Sequence, residues 1–318
     1  MGNRNEIPSP LLAQIAAQCS RPVAPAIAPL ADAMHQRFGK ALQAIILYGS
    51  CLRDVSIDEG VVDLYVLVTD YRAAYPGFGL RLLNRFLPPN VFYTEVNGDA
   101  GPIRAKYAVM SMDDLSAGSS RWFHPYLWAR FAQPVRLMYA AGDTARAAVH
   151  EALARAVLTF LENTIPVADS PEISVESIWS SGLTLTYSAE LRPEREAQAS
   201  AHVQRDREDY VRLTRSALPA LKHLVEPLAG GRLRRVSGTV EARRLRRLWK
   251  LRRVQGRILS ILRLMKAAFT FSGGIDYAAW KIERHSGVHV DVTPELRRRP
   301  IWGGCKILWK LIRTGALR

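Results

Sequence analysis

Three residues carry the first chemistry legible in this chain: the neighbours Gly49 and Ser50, and the carboxylate Asp63. The run "ALQAIILYGS" (41–50) is apolar until a Gly-Ser turn closes it, as a buried strand would be. Such a turn lets backbone and hydroxyl donors approach a phosphate chain closely. Asp63 is the single charge in a second apolar run, "VVDLYVLV" (61–68). On a neighbouring strand its carboxylate would hold Mg²⁺ against those phosphates. The competing reading is an ordinary strand-ending turn beside a strand-edge aspartate. Glu95 in "YTEV" is a second carboxylate on an adjacent strand, read chiefly as solvent-facing. Of the seven histidines, His285 and His289 are four apart, but Gly287 between them argues against a metal-binding helix. Cys19, Cys51 and Cys305 are too scattered for a disulfide framework or a CxxC metal site, which fits a reducing compartment.

Positioning these residues requires a sheet. "NVFYTEV" (90–96) and "RAKYAVMSM" (104–112) read as two further strands, so four strands form a compact mixed sheet. Residues 7–35 lead into a short helix ending near Phe38, and Leu80 to Phe86 supplies another. After Pro134 the pattern becomes helical: "TARAAVHEALARAVLTFLENTIP", "PEISVESIWSSGLTLTYSAELRP" and "EAQASAHVQRDREDYVRLTRSALPAL" each read as helix, with Pro166 ending the first. The expected organisation is α+β: a sheet domain over 1–140, a helical domain over 141–230 and a basic segment over 231–318.

That basic segment is distinct in charge. Residues 231–318 hold 22 Lys or Arg against 5 acidic residues, whereas the first 230 hold 22 against 24. A segment of this kind attracts an anionic membrane or nucleic acid. Ile258, Ile261, Leu262, Met265 and Phe269 share one helical face, with Arg263 and Lys266 away from its centre. Near the end, Lys306, Lys310 and Arg313 line one face and Trp309 and Ile312 another. Both patterns suit a helix lying in a membrane interface. "RRLRRLWKLRR" (243–253) would also suit a phosphate backbone, but no zinc-finger, RRM or KH signature accompanies it, so lipid is preferred over nucleic acid. No run of about 20 apolar residues is present to span a bilayer. No secretory signal, import sequence or myristoylation motif is read at the start. The expected location is cytoplasmic, peripheral on the inner face of the membrane.

The turn followed by Asp63 resembles nucleotidyltransferases of the polymerase-beta type, except that Tyr65 stands where their second acid would be. More closely, the chain resembles the mitochondrial-type phosphatidate cytidylyltransferases, the translocator maintenance family, whose strand carries one Asp. The likeness runs in order through "LYGS", "VVDLYVLV", "AKYAVMS", "RWFHPYLWARFAQPV", "LTYSAELR" and "KAAFTFSGGIDYAAWKIERHSG", covering roughly residues 41–287. It implies that Tyr48, Gly49 and Ser50 contact CTP and that Asp63 binds Mg²⁺. It places Lys106 where an ammonium stabilises phosphoryl charge. Arg130, Tyr187, Ser188 and Arg192 become nucleotide-binding residues, and Glu190 a second metal ligand. The chain departs from the family at Cys51, Arg53, Asp54, Ala129, Gln133 and Ala189, changes that could shift substrate choice.

The activity so implied is transfer of CMP from CTP to phosphatidate, giving CDP-diacylglycerol and pyrophosphate, with Mg²⁺ as cofactor. Two other classes stay open. One is a nucleotidyltransferase with an RNA, small-molecule or protein acceptor. The other is a non-catalytic basic adaptor that binds lipid or RNA.

Overall fold

A computed structural model of the protein describes residues 6–52, 61–99, 101–190, 196–236 and 238–270. The first layer opens with α1 (Ser9–Cys19) and α2 (Ala28–Phe38), then strand β1 (Leu42–Tyr48) and strand β2 (Val62–Val68). The short α3 (Tyr71–Ala74) and α4 (Phe78–Phe86) lead to β3 (Asn90–Gly98) and β4 (Gly101–Ser111). Helices α5 (Met112–Ser120) and α6 (Trp128–Phe131) precede β5 (Arg136–Ala140).

These five strands make one mixed sheet in the order β3-β4-β2-β1-β5. Strands β2 and β4 run parallel, and every other pairing is antiparallel. The α+β expectation holds, with one strand more than expected: the chain after Pro134 first adds β5 at the sheet edge. The N-terminal stretch forms two helices where one is expected, and the second ends at Phe38 as expected.

The apolar runs along β1 and β2 follow from cover on both faces. Ile45, Leu47, Leu64 and Val66 pack under α2 through Leu30, Met34 and Phe38. On the other face Ala44, Ile46, Tyr48, Tyr65 and Leu67 join the core built by the later helices. Asp63 alternates with Leu64 and so belongs to this second, helix-covered face.

That core is centred on α7 (Asp143–Thr164), which is followed by β6 (Glu172–Ile173) and α8 (Val175–Ser188). The last expected helix is divided into α9 (Glu196–Arg205) and α10 (Arg207–Leu221). A small second sheet, order β6-β8-β7, adds β7 (Val225–Pro227) and β8 (Leu233–Arg235). Phe160 of α7 stacks on Trp179 of α8 at 4.5 Å, and Trp179 meets Tyr210 of α10 at 4.6 Å. Such pairs contribute about 0.5–1.5 kcal/mol each beyond their burial. Gly182 makes this approach possible, because a Cβ there would lie 2.5 Å from the Phe160 ring. Helix α1 is tied to α10 by Arg21, which grips the Asp209 carboxylate with both guanidinium nitrogens.

The last described element is the long helix α11 (Thr239–Thr270). It packs with Trp249, Arg252 and Lys266 buried, and Leu251, Val254, Ile258, Ile261, Leu262 and Met265 exposed. The apolar face does point outward. Of the cations expected away from the centre of that face, Arg263 is partly buried and Lys266 is turned into the protein, as is Arg252. The side chain of Phe269, and the terminal residues Lys306, Trp309, Lys310, Ile312 and Arg313, lie outside the described positions. No described helix is long and apolar enough to cross a membrane.

Candidate functional site

Strand β1 delivers its turn against Asp63. Gly49 takes φ +85°, a conformation L side chains rarely adopt, and a Cβ there would sit 3.1 Å from Asp63 Oδ2. Glycine is therefore required twice, once for the backbone and once for the carboxylate beside it. Ser50 opens the short 3₁₀ turn Ser50–Leu52, and its side chain is outside the described positions.

The sheet register then sets a row of side chains across one face. Tyr93 of β3 pairs with Lys106 of β4, Lys106 with Asp63 of β2, and Asp63 with Tyr48 of β1. Lys106 Nζ lies 3.3 Å from Asp63 Oδ1, both side chains being partly open to solvent. Tyr48 is buried beside the Asp63 carboxylate, its partner across β1 and β2. Burial and then the Asp63 charge push its phenol well above the ordinary tyrosine range, so Tyr48 stays a neutral donor. Of the expected residues, Tyr48, Gly49, Asp63 and Lys106 are thus brought together.

The place of the missing second acid has a physical explanation. Tyr65, two residues beyond Asp63 on the same face, is fully buried, with its ring 4.9 Å from Tyr48 and 4.7 Å from Phe131. A carboxylate there would be desolvated, whereas the phenol ring fills the core. Glu95 is no substitute. It pairs with Arg104 at 3.1 Å and accepts from Tyr93 Oη at 3.2 Å. Among the described residues no three His, Cys, Asp or Glu side chains gather to hold a metal.

Arg130 supplies the next cation. Its guanidinium lies 5.0 Å from the Tyr48 ring centre and 6.0 Å from that of Tyr126. Its Nε is buried with no hydrogen-bond partner among the described residues. Burial disfavours the charge, but the surrounding phenols Tyr65, Tyr48 and Tyr126 and the Glu190 carboxylate outweigh it, so Arg130 stays protonated. Glu190 follows α8 and therefore belongs to the electrostatic surroundings of Arg130. Tyr187 is buried. The Ser188 hydroxyl donates to Leu185 O at 2.7 Å and keeps its lone pairs as acceptors. Arg192 lies outside the described residues, as do Arg53 and Asp54.

Two members of this constellation are absent from the sequence reading of the site. Tyr126 is held in a loop pinned by Trp128 Nε1 donating to Trp122 O at 3.2 Å and Arg252 Nε donating to Phe123 O at 2.8 Å. Arg263 of α11 stacks on the Tyr126 ring at 4.0 Å. Cation and ring therefore alternate from Arg263 through Tyr126 and Arg130 to Tyr48, the partner of Asp63 across β1 and β2. Helix α11 can lie this close because Gly256 rests on Ala189, where a Cβ would fall 2.1 Å from the carbonyl oxygen. Chemically, Lys106 pairs with Asp63 and Arg130 lies within the field of Glu190, while Arg263 adds a third cation beyond Tyr126.

Mg²⁺ is held in proteins by one or two carboxylates together with substrate phosphates. A partly open Asp63 beside a glycine turn fits that demand. No protein-family model matches this chain, and no curated protein matches it at a significant level.

Proposed function

We propose that the protein is a nucleotidyltransferase of the polymerase-beta type that transfers CMP from CTP to phosphatidate at a membrane surface. The observation that carries this reading is the meeting of the Gly49 turn, Asp63 and Lys106 at one end of the central strands of a mixed sheet. The ordered resemblance of residues 41–287 supplies the choice of CTP and phosphatidate.

In this reading the glycine turn receives the triphosphate with its backbone donors, since no side chain at position 49 intervenes. Lys106 and Arg130 neutralise the phosphoryl oxygens as negative charge shifts toward the leaving group. The Lys106–Asp63 pair is partly solvated, so it contributes no more than about 1 kcal/mol and opens readily for the incoming phosphates. Tyr48 orients the Asp63 carboxylate. Asp63 would hold Mg²⁺, which when bound neutralises phosphate charge and templates the reactants. A phosphate oxygen of the lipid attacks the α-phosphorus of CTP. The new P–O–P bond forms as the bond to the β-phosphate breaks, and pyrophosphate leaves with the electron pair. The nucleophile is already an anion at neutral pH, so the single carboxylate of this strand suffices without a general base.

The test incubates purified protein with labelled CTP, Mg²⁺ and phosphatidate in detergent micelles. A labelled lipid is expected, and Asp63→Ala should lower its formation by about 10²–10³-fold or more with unchanged circular dichroism. Turnover retained in that variant sinks the mechanism. CTP binding with no lipid product moves the acceptor to RNA, a small molecule or a protein. Absence of CTP binding leaves a non-catalytic adaptor.

A further inference from the structure

The end of β2 opposite Asp63 carries a second feature, about 20 Å away at roughly 3.3 Å per strand residue. There a groove of about 1220 Å³ is lined by Arg72, Phe78, Arg81, Leu82 and Arg85, with Asp113 and Asp114 on its other wall. Helix α4 forms its rim. Four residues apart along that helix, Phe78, Leu82 and Phe86 are all exposed, the two phenylalanines by 73% and 76%. Asn84, on the opposite side, is buried and donates to Val109 O at 3.0 Å, which fixes the rotation of the helix. The apolar arc is therefore held outward by the fold.

The arginines stand beside that arc. Arg81 is braced by donating to Tyr75 O at 2.6 Å and Pro76 O at 2.9 Å, while Arg85 shares its side of the helix and Arg72 is exposed on α3. Helix α4 has no acidic residue. Of the nearby acids, Asp70 accepts from the Arg72 and Ala73 amides at 2.7 and 3.0 Å, and Asp114 accepts the Tyr71 hydroxyl. With the exposed Asp113 these acids equal Arg72, Arg81 and Arg85 in number, so the cationic excess on this face comes from α11.

Helix α4 also adjoins the exposed apolar face of α11. Lys266 donates to Leu87 O and Pro89 O, and Arg263 Nε donates to Pro88 O at 3.3 Å. The chain leaving Phe86 is thus strapped to the end of α11 that presents Ile261, Leu262 and Met265. Along α11 positions 242–270 hold ten Lys or Arg and no acid. A second copy docking on this face would set cation against cation, whereas an anionic bilayer is complementary in both charge and polarity.

We infer that α4 is an independent lipid-docking element: Phe78, Leu82 and Phe86 enter the interface of an anionic membrane while Arg72, Arg81 and Arg85 receive lipid phosphates in the adjoining groove. The proposed reaction gives this surface a purpose, but the docking is measured without nucleotide.

The full chain is sedimented with phosphatidylcholine vesicles, with and without phosphatidylglycerol. The wild type is expected to bind the anionic vesicles, and Phe78→Ser combined with Phe86→Ser to weaken partitioning by about tenfold or more. Arg72→Ala with Arg85→Ala should flatten the preference for phosphatidylglycerol. CMP transfer to phosphatidate in detergent micelles should be unchanged in both double variants, which separates failure of the docking from failure of the reaction. Unaltered partitioning of the phenylalanine variant overturns the inference, as does equal binding to neutral vesicles. Light scattering in which that variant converts a dimer to a monomer assigns the face to a second copy. RNA retention lost with the same residues assigns it to nucleic acid.

Discussion

Gly49 is where backbone conformation and chemistry meet. Gly49→Ala forces a Cβ into a left-handed conformation and against the Asp63 carboxylate 3.1 Å away. The strain costs about 1–2 kcal/mol of stability, and we expect CTP binding in calorimetry to fall further than the melting temperature indicates. Lys106 separates charge from geometry: Lys106→Ala should lower kcat strongly, with Lys106→Arg recovering part of it. Equal loss in both would point to position rather than charge. Gly49 and Asp63 are legible in sequence as a turn and a lone charge in an apolar strand, and Lys106 through the resemblance. The pairing of β4 with β2 that sets Lys106 beside Asp63 is seen only in the fold. Tyr126 and Arg263 are not legible, since they lie 137 positions apart and meet only through packing of α11.

At the scale of elements, α11 is the helix whose orientation decides most. Its cation-and-leucine pattern reads from sequence as basic on one side and apolar on the other. Which side faces the protein is set by Gly256, whose missing side chain admits the Ala189 carbonyl, and by Trp249 donating to Asn163 O at 2.9 Å. Gly256→Val should lift the helix from α8, withdraw Arg263 from Tyr126 and raise KM for CTP more than it lowers kcat. Hydrogen exchange along 250–266 would report the release. Strand β5 is missed from sequence for a different reason. "RLMYA" is a short edge strand whose residues are all partly exposed, so it lacks the dense apolar run that marks β1 and β2. The Arg21–Asp209 pair ties α1 to α10. Burial opposes the Asp209 charge, but Arg21 and Arg212 hold its carboxyl below the usual range. That stability is present above the ordinary aspartate pKa and lost as pH falls through the lowered one. Arg21→Ala should destabilise by about 1–3 kcal/mol at neutral pH, and chemical denaturation should show the difference shrinking in acid.

For the whole molecule, charge is segregated. The first 230 residues are close to neutral, and the excess of cations lies beyond them. Its sign and location are fully legible in sequence, because charge needs no fold to be counted. The fate of individual cations is not: Arg252 lies over Trp128 and Trp249 at 5.6 and 5.0 Å, doing the work of a core residue. The buried cations of α11 therefore contribute little to long-range attraction, and its exposed arginines contribute most. Vesicle binding by the wild type should weaken steeply as salt rises from 50 to 300 mM, with an apolar, salt-resistant remainder.

Lys266 gives α11 one further property. Its amine is enclosed where it donates to the carbonyls of Leu87 and Pro89. Burial, helped by the nearby charge of Arg263, pushes it down to about 7. An undocked helix would carry this lysine protonated up to its ordinary range near 10.5, so docking releases a proton. Attachment of α11 to the α4–β3 connection should accordingly tighten as pH rises from about 7 toward 10, and level off at its weakest below about 7. The neutral amine keeps two hydrogens for its two carbonyls. Lys266→Met should remove that pH dependence from hydrogen exchange at the Leu87 and Asn90 amides, leaving the join between α4 and α11 indifferent to protons.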